Sequence, residues 1–196
     1  MFVIIPAKPF NQAKTRLSSI LDGDQRSVLT RNLLLRTIKL AHRVGQVGVI
    51  SRDKHVRHLA KEAGAWALVE AGNNLNTALQ QATEWVQAKG GQAAFILPGD
   101  LPLLKLSDLT EMVRLGQSVP SMVIAPCHRG DGTNGLLLRP PGLIRFAFGE
   151  SSFDKHCQTA RLADVEVVVY RSPTIAFDVD VPEDWQRLKA VDFSNS

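Results

Sequence analysis

The chain has 196 residues, of which 44% are hydrophobic and 21% are charged, and its formal net charge is +4. This composition is ordinary for a folded globular protein and excludes disorder as the main state. The length predicts a single domain over residues 1–196. Basic residues are spread along the chain without a long Lys/Arg block. The charge pattern therefore disfavours nucleic-acid binding and is equally compatible with a small anionic substrate.

The start of the chain predicts a strand rather than a targeting segment. Its first residues, MFVII, are apolar but stop at Pro6, which is too short for a secretory signal or a membrane span. Cys127 and Cys157 are not part of a CxxC pair, so free thiols are expected. We therefore expect a cytoplasmic protein with no membrane partner.

Apolar runs alternate with helical periodicity along the chain. The pattern predicts strands at residues 2–5, 47–50, 66–69, 94–97, 122–125, 135–138 and 165–170. It predicts helices at residues 25–43, 56–63, 75–86, 108–116, 153–163 and 183–190. Ser107 is the expected cap of the fourth helix, and Asn73 and Asn74 are expected to form the loop and cap before the third. Strands that alternate with helices indicate an α/β fold with a mostly parallel, partly mixed sheet.

Acidic residues follow two of the apolar stretches. Asp100 ends the run AFILPGD, and Asp178 and Asp180 are separated by one residue, so both point to one side of an extended segment. Ligands of open α/β sheets bind outside the carboxyl ends of the strands. The three carboxylates therefore predict a Mg²⁺ site for phosphoryl or nucleotidyl chemistry. The alternatives are a Pro-Gly-Asp turn at Asp100 and a helix-capping loop, a role that Glu183 and Asp184 fit better.

The loop after the first predicted strand, PAKPFNQAKTRLS, is long and basic. It lies where a doubly wound sheet binds phosphates, although it is neither a Walker A loop nor a GxGxxG loop. Lys8, Lys14 and Arg16 are its candidate phosphate ligands, together with backbone N–H groups. The alternative is a solvated basic loop.

Two further loops are rich in small residues. Residues 126–135, PCHRGDGTNG, predict either a backbone cradle for an anion or a hairpin turn. Residues 148–153, FGESSF, place Gly149, Ser151 and Ser152 at the start of a helix, which predicts an anion site or a plain serine cap. His128 and His156 could approach a substrate, but no spacing selects them.

Taken in order, these segments resemble the 2-phospho-L-lactate/phosphoenolpyruvate guanylyltransferases of coenzyme F420 biosynthesis. The matching pieces are IIPAKPFNQAKTRLS, LNTAL at 75–79, LPGDLPLL at 97–104, GDGTNGLLL at 130–138, FGESSF and FDVDVPEDW at 177–185. The resemblance implies a Rossmann-like, GT-A-type nucleotidyltransferase domain, a three-layer sandwich. It also implies transfer of GMP from GTP to a small phosphorylated acid with release of pyrophosphate. A homodimer is possible.

The resemblance also implies roles for individual residues. Asp100, Asp178 and Asp180 would bind Mg²⁺. Lys14, Arg16 and Asp100 would be catalytic, and Lys8, Lys14 and Arg16 would surround the triphosphate. Thr133, Gly149 and Ser152 would bind the phospho-acid, and the Asn76 loop would lie near the nucleotide.

The first loop has AKTR at 13–16 in place of the glycine-rich GxGTR of many nucleotidyltransferases. Alternative acceptors are 3-phosphoglycerate, a sugar phosphate or molybdopterin. The non-enzymatic alternative is an inactive GTP-binding module.

Overall fold

The computed structural model describes residues 1–72 and 74–194, with side chains through residue 190. The strands are β1 (Phe2–Pro6), β2 (Gln46–Ser51), β3 (Trp66–Val69), β4 (Ala94–Ile96), β5 (Ser121–Pro126), β6 (Thr133–Arg139) and β7 (Val167–Val169). The α-helices are α1 (Gly23–Ala41), α2 (Lys54–Glu62), α3 (Leu75–Ala88), α4 (Leu106–Leu115), α5 (Ser152–Leu162), α6 (Pro173–Ala176) and α7 (Pro182–Ser194). Among these helices, none is both long enough and apolar enough to cross a membrane.

The described strands form one sheet in the order β3-β2-β1-β4-β6-β5-β7. Strands β3, β2, β1 and β4 are parallel neighbours, and β5 and β7 are parallel to each other. Strand β6 runs antiparallel to both β4 and β5. The predicted mostly parallel, mixed sheet is therefore confirmed. Because β6 is reversed, its first residues lie at the edge of the sheet where the parallel strands end.

Apolar side chains fill both faces of the sheet, and β1 shows this directly. Val3 and Ile5 pack into a core with α1, α2 and α4, whereas Phe2 and Ile4 pack into a second core with α3 and α5. Adjacent residues of a strand point to opposite faces, so a strand buried on both sides needs an unbroken apolar run. These two cores confirm the predicted three layers.

Two local predictions require correction. Ser107 does not cap α4, because the helix starts at Leu106 and Ser107 lies inside it. Asn76 lies in the first turn of α3, within the predicted helix over residues 75–86 and not in the loop that the resemblance implied. Asn74 caps α3 by accepting a hydrogen bond from the backbone N–H of Thr77, as predicted, whereas Asn73 is outside the described residues. The short helix α6 was not predicted.

Asp108 performs the role that had been expected of Ser107, and it also connects distant elements. Its buried carboxylate accepts the backbone N–H of Lys105 at 2.9 Å, which satisfies a free donor at the start of α4. It also accepts the Tyr170 hydroxyl at 3.0 Å and the Thr174 hydroxyl at 2.6 Å. One carboxylate therefore joins α4, α6 and the segment that follows β7.

We expect Asp108→Ala to lower the free energy of unfolding by about 2–3 kcal/mol, because several donors lose a buried charged acceptor. Ser107→Ala is the matched control and should change it by less than about 0.5 kcal/mol, since Ser107 is exposed inside the helix. Urea denaturation of both variants measures the difference. A loss of about 1 kcal/mol in Ser107→Ala would instead indicate a true cap.

Candidate active site

A cleft of about 560 Å³ opens above the carboxyl ends of β1, β2 and β4. Its volume lies within the range of small-ligand sites, and its position is the one that open α/β sheets use for ligands. The loop after β1, the ends of β2 and β4, and the start of α3 supply its walls. The lining includes Pro6, Lys8, Lys14, Ile50, Ile96, Asp100 and Asp180.

Lys14 forms the central ion pairs of this cleft. Its Nζ lies 2.5 Å from Asp100 Oδ2 and 2.9 Å from Asp180 Oδ1, and its side chain is only 5% exposed. Burial acts to lower the pKa of Lys14, but the two carboxylates outweigh burial and raise that pKa above its ordinary value. Lys14 is therefore a fixed ammonium held between two of the predicted metal ligands.

The backbone of Lys14 is left-handed, with φ 55° and ψ 34°, between two short 3₁₀ turns (Phe10–Gln12 and Thr15–Leu17). This conformation is uncommon for a residue other than glycine and costs roughly 1–2 kcal/mol. The ion pairs of the side chain hold the backbone in place. Strained residues of this kind concentrate at functional sites.

Lys8 and Arg16 are exposed residues on either side of Lys14. Lys8 lines the cleft, and the charge of Arg16 is among those that lower the pKa of Asp180. The predicted basic loop therefore directs its cations toward the acidic strand ends.

The two aspartates of the FDVDV segment lie in different electrostatic surroundings. Burial raises the pKa of Asp178, and the nearby charges of Asp180 and Asp100 raise it further, although a hydrogen bond from Asn134 opposes them. Burial also acts to raise the pKa of Asp180, but Lys14 outweighs it and the pKa falls below its usual value. The mutual influence of the three carboxylates places them in one region.

The donors of this region are carboxylates, which suit a hard divalent cation. Among the residues that the structure describes, no three His, Cys, Asp or Glu side chains converge as a ligand set. Asp100 and Asp180 do converge on a single cation, the Lys14 ammonium. Mg²⁺ commonly uses one or two carboxylates and completes its shell with phosphate oxygens and water. This pair therefore fits Mg²⁺, with Asp178 beside it.

Asp184 supports the acidic segment from the start of α7. Its buried carboxylate accepts the backbone N–H groups of Asp180 at 3.0 Å and Val181 at 3.1 Å, and it pairs with Arg129 at 2.6 Å. Burial acts to raise the pKa of Asp184, but these donors lower it below its usual value. Asp184 has the capping role proposed for it, so Asp178 and Asp180 do not need to cap the helix.

A second polar cluster contains the three residues predicted to bind the phospho-acid. Ser152 Oγ donates to Thr133 Oγ1 at 3.2 Å, and the Ser152 backbone N–H donates to the carbonyl of Gly149. Gly149 has a φ of 125°, a conformation that side chains rarely adopt. Ser151 precedes α5 without forming a side-chain cap. The plain serine cap is therefore not what these residues form.

Asn134 joins the two clusters, and the sequence reasoning missed it. It follows Thr133 at the start of β6 and is buried, and its amide group donates to the carbonyl of Ala176 at 2.9 Å and to Asp178 Oδ1 at 3.3 Å. A buried amide in an otherwise apolar strand was the available signal, because buried polar groups need partners.

Asn76 lies beside the cleft, next to the lining residues Asn74 and Leu75. Its amide group exchanges two hydrogen bonds with the backbone of Phe148: the Nδ2 donates to the carbonyl at 3.1 Å, and the Oδ1 accepts the N–H at 2.8 Å. Phe148 also lines the cleft. Asn76 therefore fixes the loop that precedes Gly149, and its predicted contact with the nucleotide remains a prediction.

Solved structures of other proteins share this fold. The chain aligns with a putative nucleotide-diphospho-sugar transferase from Desulfovibrio desulfuricans G20 with a TM-score of 0.81 and 16% identity, covering 97% of this chain and 87% of that one. It also aligns with CMP:2-keto-3-deoxy-manno-octonic acid synthetase complexed with CTP, with a TM-score of 0.65 and 11% identity, over 99% and 98% of the two chains. The predicted three-layer α/β fold is confirmed.

The sequence identifies the family within this fold. Residues 1–189 match the family described as "Guanylyl transferase CofC like", to which the chain belongs. It is 38% identical over 192 residues to phosphoenolpyruvate guanylyltransferase of Rubrobacter xylanophilus, covering 97% of this chain and 94% of that protein. It is 36% identical over 185 residues to 2-phospho-L-lactate guanylyltransferase of Methanocaldococcus jannaschii, covering 94% and 80%.

We expect Asp184→Asn to lower the free energy of unfolding at pH 7 by about 2 kcal/mol, because an amide is a weaker acceptor for Arg129 and two backbone donors. A depressed pKa stabilises the folded state above the unfolded pKa of about 4, and that contribution is lost as the pH falls through the folded pKa. The difference in the free energy of unfolding between wild type and variant should therefore become smaller below about pH 4. Urea unfolding from pH 3 to 7 measures it, with the exposed Glu183→Gln as control. A difference that does not depend on pH would contradict this.

Proposed function

We propose that the chain transfers GMP from GTP to a small phosphorylated acid, phosphoenolpyruvate or 2-phospho-L-lactate, and releases pyrophosphate. The observation that carries this proposal is the convergence of Asp100 and Asp180 on one cation at the cleft. The activities for which the two relatives are named support the identity of both substrates. By the resemblance described above, the product serves coenzyme F420 biosynthesis.

The reaction is an in-line displacement at the α-phosphorus of GTP. A phosphate oxygen of the acceptor forms the new P–O bond, and the bond from the α-phosphorus to the pyrophosphate oxygen breaks. Pyrophosphate leaves with that electron pair. The acceptor phosphate is already ionised at neutral pH, so the protein does not have to supply a general base. Its task is to position the two substrates and to balance their charges.

Residues on the two sides of the site divide this task. Lys8, Lys14 and Arg16 would hold the triphosphate, and its ion pairs fix Lys14 at the cleft. Thr133, Gly149 and Ser152 would hold the phospho-acid. Asn134 would set the distance between the metal-binding carboxylates and the phospho-acid site, because it hydrogen-bonds Asp178 and directly follows Thr133.

Asp100 and Asp180, with Asp178 beside them, would hold Mg²⁺. A Mg²⁺ ion held by these residues would supply Lewis-acid stabilisation of the charge that develops on the phosphates. Lys14 already balances part of the charge of these carboxylates.

Asp100→Asn should lower GMP transfer at least about 100-fold, because an uncharged amide is a poor partner for Mg²⁺ and Lys14. The fold should stay intact, because Asp180 still pairs with Lys14. The matched control is Asp164→Asn, an exposed residue before β7 whose φ of 53° suits asparagine. Pyrophosphate release with GTP and each acceptor measures transfer. An Asp100→Asn enzyme as active as wild type would rule out this site.

A substrate panel tests the choice of nucleotide and acceptor. GTP, ATP and CTP are each combined with phosphoenolpyruvate, 2-phospho-L-lactate, 3-phosphoglycerate and glucose 1-phosphate. We expect pyrophosphate release to be fastest, by at least about tenfold, with GTP and one of the first two acceptors, since tenfold discrimination corresponds to about 1.4 kcal/mol. Faster release with CTP or with the sugar phosphate would overturn the proposal, and nucleotide binding without release would indicate an inactive module.

A further inference from the structure

His156 is a fully buried histidine on α5, and the mechanism above does not use it. It follows Ser152 by four positions, so both side chains lie on one face of the helix. Its Nδ1 is 3.2 Å from Thr133 Oγ1, and its Nε2 is 3.0 Å from the backbone nitrogen of Ala147. The ring of Phe148 packs against it edge-on with centroids 4.7 Å apart. His156 thus contacts both a predicted acceptor ligand and the loop before Gly149.

The contact with Ala147 fixes the tautomer of His156. A backbone N–H is a donor only, so Nε2 must accept with its lone pair and carries no proton. Burial lowers the pKa of His156 to about 4, so the ring is neutral at physiological pH. A neutral imidazole without a proton on Nε2 carries it on Nδ1. Nδ1–H therefore donates to the hydroxyl oxygen of Thr133.

This hydrogen bond determines the direction in which the O–H bond of Thr133 points. A hydroxyl group has one proton and two acceptor lone pairs. His156 Nδ1–H occupies one lone pair and Ser152 Oγ–H occupies the other. Both acceptor lone pairs of Thr133 Oγ1 are then occupied by donors from the protein. The Thr133 O–H must therefore donate to a group other than His156 and Ser152.

We propose that His156 is a positioning residue that makes the Thr133 hydroxyl an obligate donor to the anionic group of the acceptor substrate. The inference rests on the proposed function and deepens it, because it states how the acceptor side selects its substrate. An ionised phosphate or carboxylate oxygen accepts a hydrogen bond from the Thr133 hydroxyl group. A group that offers only a donor would leave this hydroxyl proton unpaired. The direction of a hydrogen bond therefore selects the acceptor substrate. His156, Thr133 and Ser152 supply no cation for this selection.

Two substitutions separate the two contacts of His156. His156→Gln places an acceptor near the Nε2 position for Ala147 N–H and removes the donor to Thr133. His156→Asn places an amide donor near the Nδ1 position and gives up the contact with Ala147. The exposed His42→Gln, near the end of α1, is the control for loss of a histidine.

We expect His156→Gln to raise the KM of the acceptor about 10-fold, the effect of one hydrogen bond to a charged group, with the KM of GTP changed less than about twofold. His156→Asn should recover most of this loss, and His42→Gln should match wild type. Thr133→Val should raise the acceptor KM at least as much, and His156→Gln should add little in its background. Equal effects of His156→Gln in both backgrounds, or a KM increase for GTP alone, would overturn the proposal.

A measurement on the resting wild-type protein keeps this proposal separate from the proposed function and from any folding defect of the variants. The ¹⁵N resonances of His156 in histidine-labelled protein report which ring nitrogen carries the proton; the spectrum of His156→Gln assigns them. We expect the neutral Nδ1–H tautomer from pH 6 to 8. The Nε2–H tautomer, or an imidazolium ion at pH 6, would contradict the inference. If the substrate panel detects no transfer, this spectrum still tests His156, and only the proposed function fails.

Discussion

Lys14 holds together three parts of the chain that are far apart in the sequence. Its ammonium pairs with Asp100 after β4 and with Asp180 before α7, at separations of 86 and 166 positions. Charges that leave water need partners, so each of these segments depends on the other two for its place. One electrostatic unit therefore contains the segment after β4 that carries Asp100, the loop after β1 and the acidic segment. Asp184 extends this unit by holding the acidic segment through its backbone.

Much of this arrangement could be predicted from the sequence because it depends on local patterns. The unbroken apolar runs of β1 and β4 identify strands buried on both faces, and such strands imply a parallel sheet. The carboxyl ends of parallel strands share one edge, which brings Asp100 near the basic loop after β1 without any knowledge of distant contacts. The helices lie within a few residues of their predicted bounds, which is the usual uncertainty of helix ends.

The remainder depends on contacts that periodicity does not report. Asp108 replaces Ser107 as the acceptor at the start of α4 because Tyr170 and Thr174, more than 60 positions away, hold it there. Periodicity does not report the direction of β6, although the hairpin predicted over residues 126–135 agrees with its antiparallel pairing with β5. The reversal of β6 places Thr133 and Asn134 at the same edge as Asp100. His156 carries no motif, and only its burial between Ala147 and Thr133 gives it meaning.

The two sides of the site use different electrostatics, and the proposed reaction gives a reason for this. The proposed nucleotide side contains the cations Lys8, Lys14 and Arg16, which would balance the charge of a triphosphate and of its leaving group. On the proposed acceptor side, the group formed by His156, Thr133 and Ser152 is neutral, because burial lowers the pKa of His156 to about 4. A cation against the attacking phosphate would stabilise its charge before the reaction and reduce its tendency to attack. Neutral donors orient the anion with less of this loss, so the direction of each hydroxyl proton has to provide the selectivity that charge would otherwise supply.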